Sequence, residues 1–246
     1  MKTNSTIIAV AIFSVAMIIA AWIGIGAIRA FKTNPRTVNV KGMASRDFVS
    51  DLAVWEFSFS TLASSPATGY DEIEDQRGTV VAFLQSKGVA ESEISLGAVT
   101  SNPSYNGYYS QAAQRYIEEL QGYLVAQSIT VTSGDVMKVD KLVKSVGELI
   151  GKGVTVNSYT PSYYYNGLGA LKLEMLGEAA GDARERAEKI AGESNSNVSG
   201  LKSSSMGVFQ ILGKNSNEDY SWGGTFNTTS IEKTATITVT STFLLK

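Results

Sequence analysis

The stretch Leu52-Ala-Val-Trp-Glu-Phe-Ser-Phe-Ser60 decides the fold. Ala53, Trp55, Phe57 and Phe59 fall on one side of an extended chain, with Val54, Glu56, Ser58 and Ser60 on the other. Period 2 with one apolar face predicts a sheet packed on one side and wet on the other. Upstream, Thr37-Val-Asn-Val-Lys-Gly42 alternates as another strand. Downstream, 66–87 reads as a helix with Ile73, Val80, Val81 and Leu84 inward and a Lys87-Gly88 stop. A strand through Val99 gives way to an irregular stretch ending near Gln114. Next come a strand near 123–132 and a helix opened by Ser133, whose stripe is Val136, Val139, Leu142, Val143, Val146 and Leu149. A strand at 154–160, a helix over 168–192 and strands near 199–212 and 230–245 complete an α+β domain over 37–246. The loop 213–229 between the last two strands is rich in Asn, Ser and Gly.

Two passages echo each other. Ser86-Lys-Gly-Val89 and Gly151-Lys-Gly-Val154 each close a helix and open a strand region, and each region ends in Pro-Ser-Tyr, at 103–105 and 161–163. The echo predicts two helix-plus-strand modules inside the domain, duplicates of one another in type.

The N-terminus differs in kind. Residues 7–28 carry no charge and are broken only by Ser14, Gly24 and Gly26. As a helix at ~1.5 Å per residue they span about 33 Å, enough for a bilayer core of about 30 Å. Residues 1–30 therefore read as an N-terminal transmembrane anchor, in contact with lipid over 7–28, and 31–36 as a polar linker. The apolar run is too long for a secretory h-region, and Ile28-Arg-Ala30 is a poor cleavage site. Ala20 with Gly24, and Gly26 with Ala30, are small-xxx-small pairs suited to packing one anchor on another.

Composition removes much chemistry. The 246 residues include no Cys and no His, so there is no disulfide framework, Cys nucleophile, Cys/His zinc site or Ser-His-Asp triad. From residue 37 onward 17 basic and 23 acidic residues give a net charge of −6, which disfavours nucleic acid as a partner. The positive-inside count, with Arg29, Lys32, Arg36 and Lys41 after the anchor, puts the domain in the cytoplasm, although one short tail gives that count little to weigh.

Eight of eleven tyrosines cluster: Tyr105, Tyr108, Tyr109 and Tyr116, then Tyr159, Tyr163, Tyr164 and Tyr165. Tyr offers a large, half-apolar contact area at low entropic cost, so both groups read as loops or strand ends able to meet a partner or, equally, as packed sheet edges. Trp222 joins the interface candidates from the 213–229 loop. Asp71, Glu72, Glu74 and Asp75 are read as complementing a helix dipole, and Lys138, Lys141, Lys144 and Lys152 as a solvated face. Gly167-Leu-Gly169 lacks the rest of a phosphate cradle, and neither Glu118-Glu119 nor Glu218-Asp219 fits a calcium loop. Ala179, Ala183, Ala187 and Ala191 form a small-residue ridge, with Glu185 and Lys189 an i,i+4 pair outside it. No catalytic, metal-binding or cofactor-binding residue is nominated, and no cofactor is expected.

These residues resemble SIMPL-domain proteins, a family of unknown function. The resemblance rests on Thr37-Val-Asn-Val-Lys-Gly42, Asp51-Leu-Ala-Val-Trp55, Gly88-Val89, Ser128-Ile-Thr-Val-Thr132, the Ala-rich helix 179–191 and Ile231–Thr240. It covers 37–246 and includes the membrane-anchored bacterial variant, while the Tyr-rich segment 104–116 departs from the pattern. It implies an α+β fold and export to the periplasm, with the chain held single-pass in the inner membrane. It also implies ring- or channel-like homo-oligomers in some members, and links to oxidative stress or envelope maintenance. Export overrides the naive charge count. The expectation is a non-enzymatic, self-assembling envelope protein. Beside it stand an envelope module binding glycan or peptide through the Tyr loops, and a hydrolase built on paired carboxylates.

Overall fold

A computed structural model describes residues 13–23, 25, 35–219 and 221–246. Residues 13–23 and 25 are helical, and no helix among the described residues is long and apolar enough to cross a membrane. Ala20 lies in that helical stretch with its side chain exposed. Gly24, Gly26 and Ala30, the ends of the 7–28 span and residues 31–34 of the linker lie outside the described residues.

The remainder is α+β with antiparallel sheets. Strand β1 (Thr37–Val49) precedes β2 (Leu52–Ala63), the strand read from alternation. Ala53, Trp55, Phe57 and Phe59 are all fully buried. The Trp55 ring stacks on Phe57 at 4.4 Å between centroids, and its Nε1 donates to Ser158 Oγ and the Tyr159 carbonyl, both at 3.1 Å. Burying an indole leaves its N–H in need of a partner, and the strand end at 158–159 supplies two.

Helix α1 (Pro66–Ser86) starts at Ser65, whose hydroxyl accepts the Thr68 N–H at 3.2 Å, with Pro66 in the first turn. Ile73, Val80, Phe83 and Leu84 face inward; Val81 is only half-buried. The first turn holds no acidic residue, so the dipole reading of Asp71, Glu72, Glu74 and Asp75 does not hold. Glu72 instead accepts the Thr61 hydroxyl at 2.5 Å, and Glu74 pairs with Arg77.

A 3-10 turn at Glu91–Glu93 leads into β3 (Ile94–Ser110), which pairs with β4 (Arg115–Ser133). The stretch read as irregular to Gln114 is thus one long hairpin: cross-strand hydrogen bonds satisfy a backbone whose Asn, Gly and Pro weaken any sequence signal for a strand. Helix α2 (Val136–Ser145) is capped by Asp135, whose carboxylate accepts the Lys138 N–H at 2.9 Å; Ser133 Oγ lies one step back, accepting the Asp135 N–H at 3.1 Å. A 3-10 segment (Val146–Lys152) carries Leu149 on into the core before β5 (Thr155–Ser158) and β6 (Ser162–Tyr164).

One sheet runs β3-β4-β2-β5, with β6 also on β2, and every pair is antiparallel. Thus β2–α1–β3 and β4–α2–β5 are two split strand–helix–strand units, each enclosing a strand of the other. Both helices cover the same face, the core of Trp55, Phe57, Phe59, Phe83, Ile129, Val131, Val139 and Leu142. The repeated Lys-Gly-Val lies at the same point of each unit. Gly88 (φ 85°) donates to the Gln85 carbonyl and Val89 to Leu84; Gly153 (φ 82°) donates to Ile150 and Val154 to Leu149. Both are Schellman stops, with glycine in the left-handed conformation. Lys87 and Lys152 bring their Nζ atoms to 5.3 and 5.6 Å from the Phe83 ring centre. The Pro-Ser-Tyr half of the echo has no such equivalence, since Tyr105 is exposed and Tyr163 buried.

Helix α3 (Leu168–Glu193), β7 (Val198–Met206), β8 (Gln210–Gly213) and β9 (Glu232–Leu245) complete the chain. The second sheet runs β1-β9-β7, with β8 also on β9. The described residues form two compact units, one drawn from those within 1–42, 180–206 and 239–246, the other from those within 43–179 and 207–238. In the first, Ala183 and Ala187 pack with Val40 and Phe243, and β7 pairs with β9 from Val198↔Leu245 to Met206↔Val239. All four ridge alanines are fully buried. The ion pairs formed along α3 are Arg184–Glu188 and Arg186–Asp182 rather than Glu185–Lys189.

Candidate functional site

The first tyrosine group stands on the β3–β4 hairpin. Tyr109 faces Tyr116 and Tyr105 faces Leu120, so these four share one face, while Tyr108 faces Ile117 on the other. Between Leu120 and Gly122 β4 carries one extra residue, and this bulge keeps Tyr105, Tyr109, Tyr116 and Leu120 on the side of Tyr123, Val125 and Ile129. They extend the core-facing side of the sheet, yet all four are exposed, Tyr116 to 65%. Gly107 lies beneath the Tyr116 ring, where a Cβ would come within 2.5 Å of a ring carbon, and the Tyr116 hydroxyl donates to the Gly107 carbonyl at 3.2 Å. Tyr108 donates to Glu119 Oε1 at 3.0 Å, and this carboxylate pushes the phenol pKa up. Strand β3 is the edge of its sheet, and none of its 17 residues is charged.

The second tyrosine group does not share one exposed face. Tyr163 is 3% exposed, because β6 pairs with β2 and sets Tyr163 opposite Ala53 over the core. Burial, then the hydrogen-bonded Asp140 carboxylate, raise its pKa. Tyr164 is half-buried, Tyr165 packs on Phe48 at 5.0 Å, and Tyr159 remains exposed. Alternation could not tell these residues from the first group, since both sit among the same Pro, Ser and Asn.

Trp222 is 100% exposed, on a loop tied down by polar groups that the sequence reading missed. Gln210 Nε2 donates to the Ser221 carbonyl at 2.6 Å while its Oε1 accepts the Thr225 N–H at 2.7 Å. Glu218 accepts the Gly213 N–H at 3.0 Å and Asn227 Nδ2 at 2.5 Å, which hold its pKa below the usual range. Lys233 is 2% exposed and donates to the carbonyls of Tyr163 (3.0 Å) and Asn227 (2.7 Å). Burial lowers its pKa to about 8, against the opposing pull of Glu218. One signal was available: Lys233 shares strand parity with Ala235, Ile237 and Val239, the inward positions of β9. Beside the loop, Gly207, Val208, Gln210, Ser221, Trp222, Thr236, Ile237 and Thr238 line a cleft of about 520 Å³.

Elsewhere the charges brace the fold. Lys138, read as solvated, instead reaches Glu93 at 2.8 Å and the Gly88 carbonyl at 3.2 Å, with Ser133 donating to the same carboxylate. The clefts beside α2 each hold one carboxylate, Asp135 or Asp140, and no three His, Cys, Asp or Glu side chains among the described residues gather as a metal site requires.

A family model for SIMPL, described as a protein of unknown function (DUF541), matches residues 38–243. No curated protein matches the chain.

Proposed function

The chain belongs to the SIMPL family, and from that premise we propose that it is a membrane-anchored cell-envelope protein whose β3–β4 hairpin joins copies into a homo-oligomer. The observation carrying this reading is the hairpin: an uncharged edge strand beside an aromatic extension of the core face whose side chains stand exposed. Natural edge strands are guarded by charges, prolines and bulges. Here Pro103 and the β3 bulge between Leu96 and Val99 guard the inner part, leaving Tyr105–Ser110 free to pair. The apolar run 7–28 supports the anchor. Periplasmic placement and a scaffold role in envelope maintenance or stress follow from the family resemblance, and no residue pair nominates a catalytic role. A reading as a glycan or peptide module on both Tyr loops draws less support, because Tyr163 lies in the core.

Mass photometry of the detergent-extracted full chain is the test. Wild type is expected as a defined oligomer and Tyr109→Asp/Tyr116→Asp as a smaller species; a strict monomer at every wild-type concentration overturns the reading. Protease accessibility on intact cells and on spheroplasts reads the side of the membrane, with cleavage confined to spheroplasts expected.

A further inference from the structure

The Trp222 cleft plays no part in that assembly, and the geometry points to it as a binding site for a neutral saccharide. Trp222 is fully solvated, yet its turn is fixed: the Gly224 N–H donates to the Ser221 carbonyl at 3.1 Å, and buried Gln210 clamps Ser221 and Thr225 together. The Thr225 carbonyl also accepts the Ile211 N–H at 2.7 Å. Ordering a turn that leaves its largest apolar side chain in water gains nothing by burial within the chain. The ordered ring is a platform presented to something else.

Two glycines shape the space. Gly207 approaches β9 closely enough to donate to the Thr238 carbonyl at 2.8 Å, and a Cβ there would lie 2.4 Å from Thr238 Oγ1. Gly224 has φ +93°, and a Cβ on it would come within 2.9 Å of Val208. Side chains at these positions would crowd the walls of the cleft.

Chemistry selects the occupant. No charged residue among the described residues lines the cleft, so an ionic ligand would be desolvated without a counter-charge. Trp222 and Val208 give it apolar walls. Thr236 and Thr238 stand on the outward side of β9, and no described residue hydrogen-bonds their hydroxyls; Ser221 Oγ accepts only the Gly223 N–H at 3.3 Å and keeps its own proton to donate. A pyranose matches both properties: its C–H face meets the negative face of the indole and its hydroxyl rim meets the threonines. A membrane surface suits the loop less well, since Glu218 and Asp219 adjoin Trp222 in sequence and anionic lipid repels them. The cleft volume lies within the ~300–1,000 Å³ of small-ligand sites.

The test uses the full-length protein in a sugar-free detergent with 5-fluorotryptophan at Trp22, Trp55 and Trp222, the last assigned through Trp222→Phe. Titration with chitotriose and with maltotriose should move the Trp222 fluorine resonance saturably with at least one sugar and leave buried Trp55 in place. Thr236→Val and Thr238→Val should each weaken binding about fivefold, the worth of one hydrogen bond, with the Trp55 resonance reporting an intact core. Trp222→Ala should weaken it at least about tenfold by calorimetry. No saturable shift with either sugar overturns the proposal, as does wild-type affinity in both threonine variants. A Trp222 shift that follows protein concentration without sugar also overturns it, by identifying a contact between copies.

Discussion

Lys233 places a charge where β9 otherwise buries Ala235, Ile237 and Val239. Its two carbonyl partners satisfy the ammonium without neutralising it, so the native state holds the proton less tightly than the unfolded chain does. Native Lys233 titrates at about 8 and the unfolded lysine at its model 10.5. Between these values the unfolded state binds more protons, so this group makes stability rise with pH. Below pH 8 both states are protonated and its full desolvation cost is present. Urea unfolding at pH 7 and 9.5 should show this rise in wild type and lose it in Lys233→Met; an equal rise in both would assign it to other groups. The Tyr163 phenol acts in the opposite sense but only above its ordinary pKa of 10, outside that window.

The two Schellman stops are the elements that sequence and structure describe in the same terms. Gly88 and Gly153 both have positive φ, and nothing lies within 4 Å of a Cβ built on either. Alanine there meets backbone strain without a clash, so Gly88→Ala and Gly153→Ala should each cost about 1–2 kcal/mol in chemical denaturation. The hairpin behaves differently. It stands beyond the helices, so Tyr109→Ser with Tyr116→Ser should change assembly while shifting unfolding by less than about 1 kcal/mol. Strand alternation was legible in β2 because burial on one face imposes it. It was illegible in β3, where Ser101-Asn-Pro-Ser-Tyr-Asn-Gly107 is held extended by pairing with β4 rather than by a buried face of its own. Helix α1 was legible from its stop and apolar spacing, but spacing alone does not separate Phe83, central to the core, from the half-buried Val81.

At the scale of the whole molecule, residues 37–246 carry a net charge of −6, while the proposed contact strand carries none. Screening acts on charges and leaves apolar and backbone contacts in place. The oligomer should therefore persist from low salt to about 0.5 M, checked by sizing, whereas assembly through the acidic surface would strengthen steeply as salt rises. The sequence by itself determined the α+β class, the family resemblance, the repeated helix stops and the buried face of β2, because each is a local pattern that hydrogen bonding or burial imposes on neighbouring residues. Only the tertiary structure decided which tyrosines face water. Tyr105 and Tyr163 follow the same Pro-Ser dipeptide, but one strand runs past its covering helices and the other is pinned beneath α2. It alone also brought Gln210, Thr236 and Thr238 beside Trp222, since a cleft is made by residues that pairing and loop closure place together across gaps in the chain.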